Sequence, residues 1–186
     1  MGSSRTLCGW MAICAVAHAQ AALAAAPEWM RAQIGPAVPA HDEKTNAVVL
    51  YSETQLTVQA RGKMKRLDRR VYKILRPDGE AYGWVRAEYG SLSRITAIRG
   101  WSIPSQGKDY EVRERDVVET GITDVDGGEL VSDVRRKSLL IPAAIPGNLV
   151  GYEIEEEVQP YTMTDEWDFQ DTLPVREARY SVRVPP

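Results

Sequence analysis

Short runs of alternating apolar and polar residues, separated by turn residues, constrain the fold of this chain more than any other feature. Leu56, Val58 and Ala60 alternate with polar neighbours, and the same period of two recurs at residues 150–154 and 178–184. This period places apolar side chains on one face of a β-strand, and no long run has the period of a helix. The alternation therefore predicts a mainly β chain.

Turn residues divide the rest of the chain into further predicted strands. Pro-Asp-Gly at residues 77–79 is typical of a turn, because proline fixes φ and glycine tolerates positive φ. Pro-Ser-Gln-Gly at residues 104–107 predicts the connection of a β-hairpin. Short strands at this spacing favour an antiparallel β-sandwich or large twisted sheets over an α/β fold. The further strands are predicted at residues 48–51, 67–75, 82–89, 95–103 and 110–118.

Residues 1–24 are typical of a bacterial signal peptide. Arg5 supplies a positive charge, an apolar run follows at residues 7–16, and small residues fit cleavage after Ala19 or Ala24. A transmembrane anchor is the alternative, but the apolar run is too short to span a bilayer. We therefore expect export to the periplasm or the medium, with no membrane span after cleavage.

Two segments follow the predicted signal peptide. Residues 25–46 predict a short helix, with Pro27 at its start and Gly35 just past its end, and then a polar linker. Residues 47–186 contain all the predicted strands and form the predicted β-sandwich-like domain. A chain of 186 residues, 44% of them hydrophobic, can bury a core of its own.

The cysteines, the histidines and the net charge exclude several classes of function. Cys8 and Cys14 lie in the predicted signal peptide, so the exported chain would have no thiol and no disulfide. His41 would be its one histidine, and a Ser-His-Asp triad would have to use this linker residue. The formal net charge of −3 gives no electrostatic case for binding nucleic acid. We therefore expect no catalytic residue, no metal and no cofactor.

Three polar motifs suggest chemistry but fit ordinary β structure better. Ser105 and Lys108 match the S-x-x-K pattern of serine acyl-transfer enzymes, which needs a helix where this chain predicts a turn. Residues 124–129 resemble a calcium loop, but Gly128 and Arg135 stand where oxygen ligands are needed, so calcium binding stays open. Residues 153–157 place glutamates about 7 Å apart on one strand face. This arrangement predicts a solvated face rather than a glycosidase pair, whose carboxylates oppose each other across a cleft.

Aromatic side chains are the best candidates for ligand contacts in a chain without a predicted catalytic group. Aromatic rings can stack on sugars or hold peptide side chains, although in β-proteins they are more often part of the core. We predict binding residues at Trp84, Trp101, Tyr161 and Trp167.

Several segments resemble the bacterial domain of unknown function found at the N-terminus of exported transglutaminase-like proteins. The matching segments are residues 46–51, 69–75, 145–152, 167–170 and 173–175. The resemblance implies a β-sandwich-like fold related in shape to the N-terminal domain of certain zinc aminopeptidases. It also implies a following papain-like Cys-His-Asp domain, and this sequence ends where that domain is expected to begin. No catalytic residue of the family is therefore carried over to this chain.

These observations lead to three functional hypotheses. The first is an exported, non-catalytic accessory or binding domain that contacts a peptide, protein or glycan in the cell envelope, beside a downstream or separate transglutaminase-like domain. The second is an N-terminal fragment of a transglutaminase-like or peptidase-like enzyme whose catalytic domain is missing here. The third is a structural envelope protein that packs on a partner through aromatic or edge-strand surface.

Overall fold

The computed structural model describes residues 26–122, 133–162 and 165–185. Within these ranges the chain forms two β-sheets and one short α-helix. The larger sheet has the strand order β5-β4-β8-β2-β1-β9, and the smaller has the order β3-β7-β6. The elements are α1 (Glu28–Arg31), β1 (Ala47–Val58), β2 (Met64–Ile74), β3 (Trp84–Tyr89), β4 (Ser93–Ile103), β5 (Tyr110–Val112), β6 (Val118–Gly121), β7 (Arg135–Leu140), β8 (Leu149–Val158) and β9 (Ala178–Arg183).

The larger sheet is built on the long hairpin of β1 and β2. The turn between them uses Arg61 and Gly62 with φ angles of 66° and 76°, and the two strands then pair over their whole length. β8 pairs antiparallel with β2 on one side and with β4 on the other. β9 returns to the far edge and pairs parallel with β1, from Ser52 opposite Ala178 onward.

The smaller sheet covers one face of the larger sheet, which we call the inner face. Gly100 on β4 allows a close approach, because a Cβ atom there would lie 2.6 Å from Ile141 and 2.9 Å from Leu139. The two sheets thus share one apolar core, as expected for two packed β layers. Its buried residues are Ala47, Val49, Tyr72, Ile74, Val85, Ala87, Ile95, Ile98, Val112, Leu139, Ile141, Ala144 and Val150.

The opposite, outer face of the larger sheet is covered at one end by α1. Met30 is fully buried there, and Trp29 packs edge-on against Trp101 with ring centroids 5.9 Å apart. Arg31 on the helix pairs with Asp109, which lies between β4 and β5. The apolar contacts form a second core, which we call the outer-face core. It consists of Ala26, Met30, Val48, Leu50, Tyr51, Val71, Trp101, Ile103 and Leu149.

The other end of the outer face carries a ladder of ion pairs. Glu153 is only 7% exposed and lies between Arg69 (2.7 Å) and Arg99 (3.1 Å). Glu155 pairs with Arg99 at 2.7 Å and has a side chain that is 45% exposed. The expectation of a solvated face is therefore wrong for Glu153, because arginines on both neighbouring strands surround its carboxylate.

The structure confirms the predicted mainly β fold with a short N-terminal helix and the hairpin of β4 and β5. One difference is that the sheets are not wholly antiparallel, since β9 runs parallel to β1. The chain reaches that edge through residues 165–177, which we call the covering segment because its side chains contact the inner face. A long connection of this kind gives no signal in a period-two pattern.

Three elements also differ from the sequence expectations. The predicted strand at residues 110–118 divides into β5 and β6, because the Asp116 carboxylate accepts the Arg113 N–H at 3.2 Å and stabilises a tight turn. The predicted helix at residues 27–34 is only one turn long. β7 was not predicted, since charged residues hide its alternation, and its apolar contact to the core is made mainly by Leu139.

Candidate functional site

Trp167 and Phe169 of the covering segment form an aromatic cluster with Tyr180 of β9 at the edge of the larger sheet. The Trp167 ring stacks on Tyr180 with centroids 5.4 Å apart and meets Phe169 edge-on at 4.4 Å. The register of β9 against β1 places Tyr180 opposite Thr54. The aromatic cluster is therefore fixed to the sheet by a strand and not only by a loop.

A chain of polar contacts joins this cluster to the inner face. The Tyr180 hydroxyl donates to Asp165 Oδ2 at 2.7 Å, and Arg66 Nη1 donates to Asp165 Oδ1 at 3.0 Å. Arg66 Nε also donates to Asp68 Oδ2 at 2.8 Å, and Asp68 accepts the Thr54 hydroxyl. These contacts hold each side chain in one orientation, which is the condition for a preorganised site.

A cleft of about 220 Å³ opens between Trp167 and the strands. Ser52 and Thr54 are buried there, 7% and 3% exposed. Arg70 reaches across this region to Asp171 of the covering segment at 3.0 Å. Side chains that line the cleft include Ser52, Thr54, Asp68, Arg70, Tyr152 and Trp167.

The electrostatics of the cleft favour neutral phenols beside paired charges. Burial raises the pKa of Tyr152, with the neighbouring Tyr72 adding to the effect. Burial would also raise the pKa of Asp171, but the Leu173 backbone N–H and the Arg70 guanidinium together hold it below its usual value. The pKa of Tyr180 is raised, chiefly because its hydroxyl donates to Asp165. At neutral pH the cleft thus offers hydroxyl groups and compensated charges.

The four aromatic residues predicted to bind a ligand lie in different parts of the fold. Trp84 is 47% exposed on the smaller sheet, with the Arg86 guanidinium 5.5 Å from its ring centroid. Trp101 is 5% exposed within the outer-face core, and Tyr161 is 90% exposed after β8. Trp167 is the one that lines the cleft with polar strand residues. Binding by each of the four stays a prediction.

Sequence reasoning missed the polar residues of the cleft. Arg66, Asp68 and Arg70 occupy alternate positions of β2 and therefore share a face with Tyr72. This row of charges on a strand that is central in the sheet was a usable signal, because charged residues there need partners. Asp165 and Asp171 gave no such signal, since they lie outside regular structure.

The structure also gives the positions of His41 and of the S-x-x-K motif. His41 is exposed, with Nδ1 2.8 Å from the Pro39 carbonyl oxygen. Ser105 lies in the bend between β4 and β5, where its N–H donates to Asn148 Oδ1 at 2.9 Å. The calcium-like segment, residues 124–129, lies outside the described residues.

The described residues contain neither a group of metal ligands nor a membrane-spanning helix. Within residues 26–122, 133–162 and 165–185, no three His, Cys, Asp or Glu side chains are grouped so that they could hold a metal ion. In the same ranges no helix has the length and apolar character needed to cross a bilayer.

Comparison with known proteins assigns this mainly β module to a family. The family described as "Domain of Unknown Function with solved-structure structure (DUF3857)" matches residues 60–186, which is most of the chain. The chain therefore belongs to the DUF3857 family. No curated protein matches the chain.

A solved structure with the same fold comes from Parabacteroides distasonis ATCC 8503 and is described as a "putative protease". The two chains are 14% identical and superpose with a TM-score of 0.66 over 75% of this chain. The match spans only 29% of the other protein. At this identity the similarity establishes the fold alone.

Proposed function

We propose that this chain is an exported, non-catalytic binding domain and that the cleft beside Trp167 is its binding site. The observation that carries the proposal is the pairing of an aromatic ring with hydroxyl and charged groups fixed on adjacent strands. Such a combination suits a peptide or a glycan, because the ring covers an apolar surface while the polar groups orient the ligand.

The size of the cleft limits what it would hold. Drug-sized ligands occupy pockets of roughly 300–1,000 Å³, and this cleft has about 220 Å³. One sugar ring or one amino-acid side chain of a longer ligand would fit. The rest of the ligand would then lie along the exposed surface around Phe169, which is 61% exposed.

The rigidity of the cleft supports a binding role. Arg66 is fixed by two carboxylates, and Arg70 is fixed by Asp171. Side chains held in this way lose little conformational entropy when a ligand binds. Their charges are also compensated, which favours hydrogen bonding to a ligand of low net charge.

A matched pair of tryptophan variants tests the proposal. The 186-residue chain is titrated with neutral and charged tripeptides and with N-acetylhexosamine oligomers, and affinity is measured by calorimetry. Trp167→Ala is expected to weaken binding by about 2 kcal/mol, or roughly 30-fold. Trp84→Ala tests the exposed tryptophan among the predicted binding residues, and it is expected to bind normally if the cleft is the site. Binding that is insensitive to Trp167→Ala, or hydrolase or transglutaminase turnover by the wild-type chain, would refute the proposal.

The second candidate function is part of a larger peptidase-like or transglutaminase-like enzyme. It is favoured by the similarity to a much longer protein that is described as a "putative protease", of which this chain matches 29%. In this version the domain would position a substrate for catalytic residues elsewhere. The coding sequence after Pro186 decides the matter, since a stop codon there, with no Cys-His-Asp domain encoded nearby, would remove this alternative.

Export is a proposal that rests on residues 1–24 alone. The test is N-terminal sequencing of the protein recovered from the periplasm and the medium of the source bacterium. A first residue of Gln20 or Ala25 would support cleavage after Ala19 or Ala24. Recovery of the uncleaved chain from the cytoplasm would contradict it.

A further inference from the structure

Among the described residues, β9 forms the longer of the two edges of the larger sheet and leaves it open. It is six residues long and ends the strand order, and β5 at the opposite edge has only three residues. Within the described ranges no strand pairs with the outer side of β9. An open edge presents unpaired backbone N–H and C=O groups that can accept another strand.

The hydrogen bonds to β1 show which backbone groups of β9 point outward. The Ser52 N–H donates to the Glu177 carbonyl at 2.9 Å, and Ser52 lies opposite Ala178. Backbone groups alternate between the two sides of a strand. Arg179, Ser181 and Arg183 therefore direct their N–H groups toward β1. Tyr180 and Val182 direct theirs toward solvent.

The side chains of β9 give its two faces different character. Val182 follows Tyr180 on the face of the aromatic cluster and is 49% exposed. Arg179 and Arg183 lie on the other face and are both exposed. Arg179 pairs with Glu177 and lies 5.6 Å from the Tyr51 ring, whereas Arg183 has no ion-pair partner among the described residues. The edge is therefore basic on one face and apolar on the other.

We propose that β9 is the docking edge for an extended segment of a partner protein in which acidic and apolar residues alternate. The segment adds a strand to the larger sheet through the outward backbone groups of Tyr180 and Val182. Its acidic side chains face Arg179 and Arg183, and its apolar side chains face Val182. The backbone supplies affinity and the two faces supply selectivity, as in other cases of strand addition.

A second copy of this chain is a poorer occupant of the same edge. Two-fold symmetry would pair β9 antiparallel with itself and place the basic faces of both copies on the same side. In the register centred on Ser181, Arg179 of each copy lies opposite Arg183 of the other. Like charges directly opposite each other destabilise a strand pair.

A pair of synthetic peptides tests the proposal. One seven-residue peptide alternates glutamate with valine, and its control replaces every glutamate by lysine. With the 186-residue chain, the glutamate peptide is expected to bind about tenfold more tightly than the lysine peptide. It should also slow hydrogen exchange at the Tyr180 and Val182 amides, without changing Ser181, whose amide already pairs with β1.

Three variants of β9 separate the backbone and charge contributions. Val182→Pro removes an outward N–H without touching the β1 ladder and should abolish binding, whereas Val182→Thr should retain it. Arg183→Glu keeps the strand intact and leaves Arg179 as the remaining arginine of β9 on that face, so it should remove most of the preference for the glutamate peptide. Equal binding of both peptides by the wild-type chain, unchanged binding by Val182→Pro, or protection of the edge by self-association without peptide would overturn the proposal.

Discussion

Trp167 stacks on Tyr180 with ring planes only 27° apart, which fixes the covering segment to the edge strand of the larger sheet. The Tyr180 hydroxyl also donates to Asp165, at the start of the same segment. Tyr180 of β9 thus contacts two residues of the covering segment, Asp165 and Trp167. The shape of the cleft depends on this attachment, because Trp167 forms one of its walls.

Tyr180→Phe should loosen the covering segment without removing the aromatic stack. The lost hydrogen bond to Asp165 is expected to lower the free energy of unfolding by about 1 kcal/mol. Urea unfolding measures this change. Tyr161→Phe is the matched control, since Tyr161 is 90% exposed, and it should have no effect. An equal loss in both variants would contradict the attachment.

Glu153→Gln should be far more harmful than the same change two residues away. Glu153 is buried between Arg69 and Arg99, and its neutralisation leaves Arg69 with only Glu53 and Arg99 with only Glu155 as a counter-charge. The expected loss is about 2 kcal/mol in the free energy of unfolding, because a charged hydrogen-bond acceptor is lost from a buried position. Glu155→Gln removes a half-exposed carboxylate and should cost less than about 1 kcal/mol. Similar midpoints of chemical unfolding for the two variants would show that burial of Glu153 is unimportant.

Gly100→Ala tests the close packing of the two sheets. The added Cβ would lie 2.6 Å from the Ile141 side chain and 2.9 Å from the Leu139 side chain, so these side chains have to move, at an expected cost of about 2 kcal/mol. Gly90→Ala is the control, because nothing lies within 4 Å of its added Cβ. Thermal unfolding of the two variants gives the comparison, and a harmless Gly100→Ala would contradict the described contact.

Alkaline stability should depend on Tyr51. Burial, and to a smaller extent the contact with Glu53, raises the pKa of Tyr51 from 10.0 to about 12. The phenol stays protonated in the folded chain at a pH where it ionises in the unfolded chain. Its contribution to stability is complete below pH 10.0 and is lost as the pH rises to about 12. Tyr51→Phe should therefore lose less stability than the wild type across this range, as followed by urea unfolding at each pH. An identical loss would show that Tyr51 does not contribute.

The sequence predicts the strands that alternate cleanly and the turns that contain proline and glycine. It does not predict β7, in which Leu139 is the main residue that contacts the core, or the parallel pairing of β9. Parallel pairing depends on how a long connection crosses the sheet, and no local pattern encodes this. The short-range signals therefore yield the fold class, while the order of the strands requires the tertiary structure.

For the candidate site, the sequence predicts Trp167 on one side of the cleft but not the polar strand residues on the other side. Trp167 is recognisable as an aromatic candidate, but nothing local distinguishes it from Trp101, which is buried in the outer-face core. Ser52 and Thr54 read as ordinary strand residues until β9 and the covering segment are placed beside them. A site assembled from residues this far apart in sequence cannot be predicted from spacing.

The most direct test of the central claim follows the tryptophan indole signals by NMR during titration with the ligand that binds most tightly. If the cleft is the binding site, the Trp167 indole N–H signal shifts and saturates with the affinity measured by calorimetry, while the Trp84 and Trp101 signals stay in place. A saturable shift of Trp84 alone, with Trp167 unchanged, would contradict the assignment of the site.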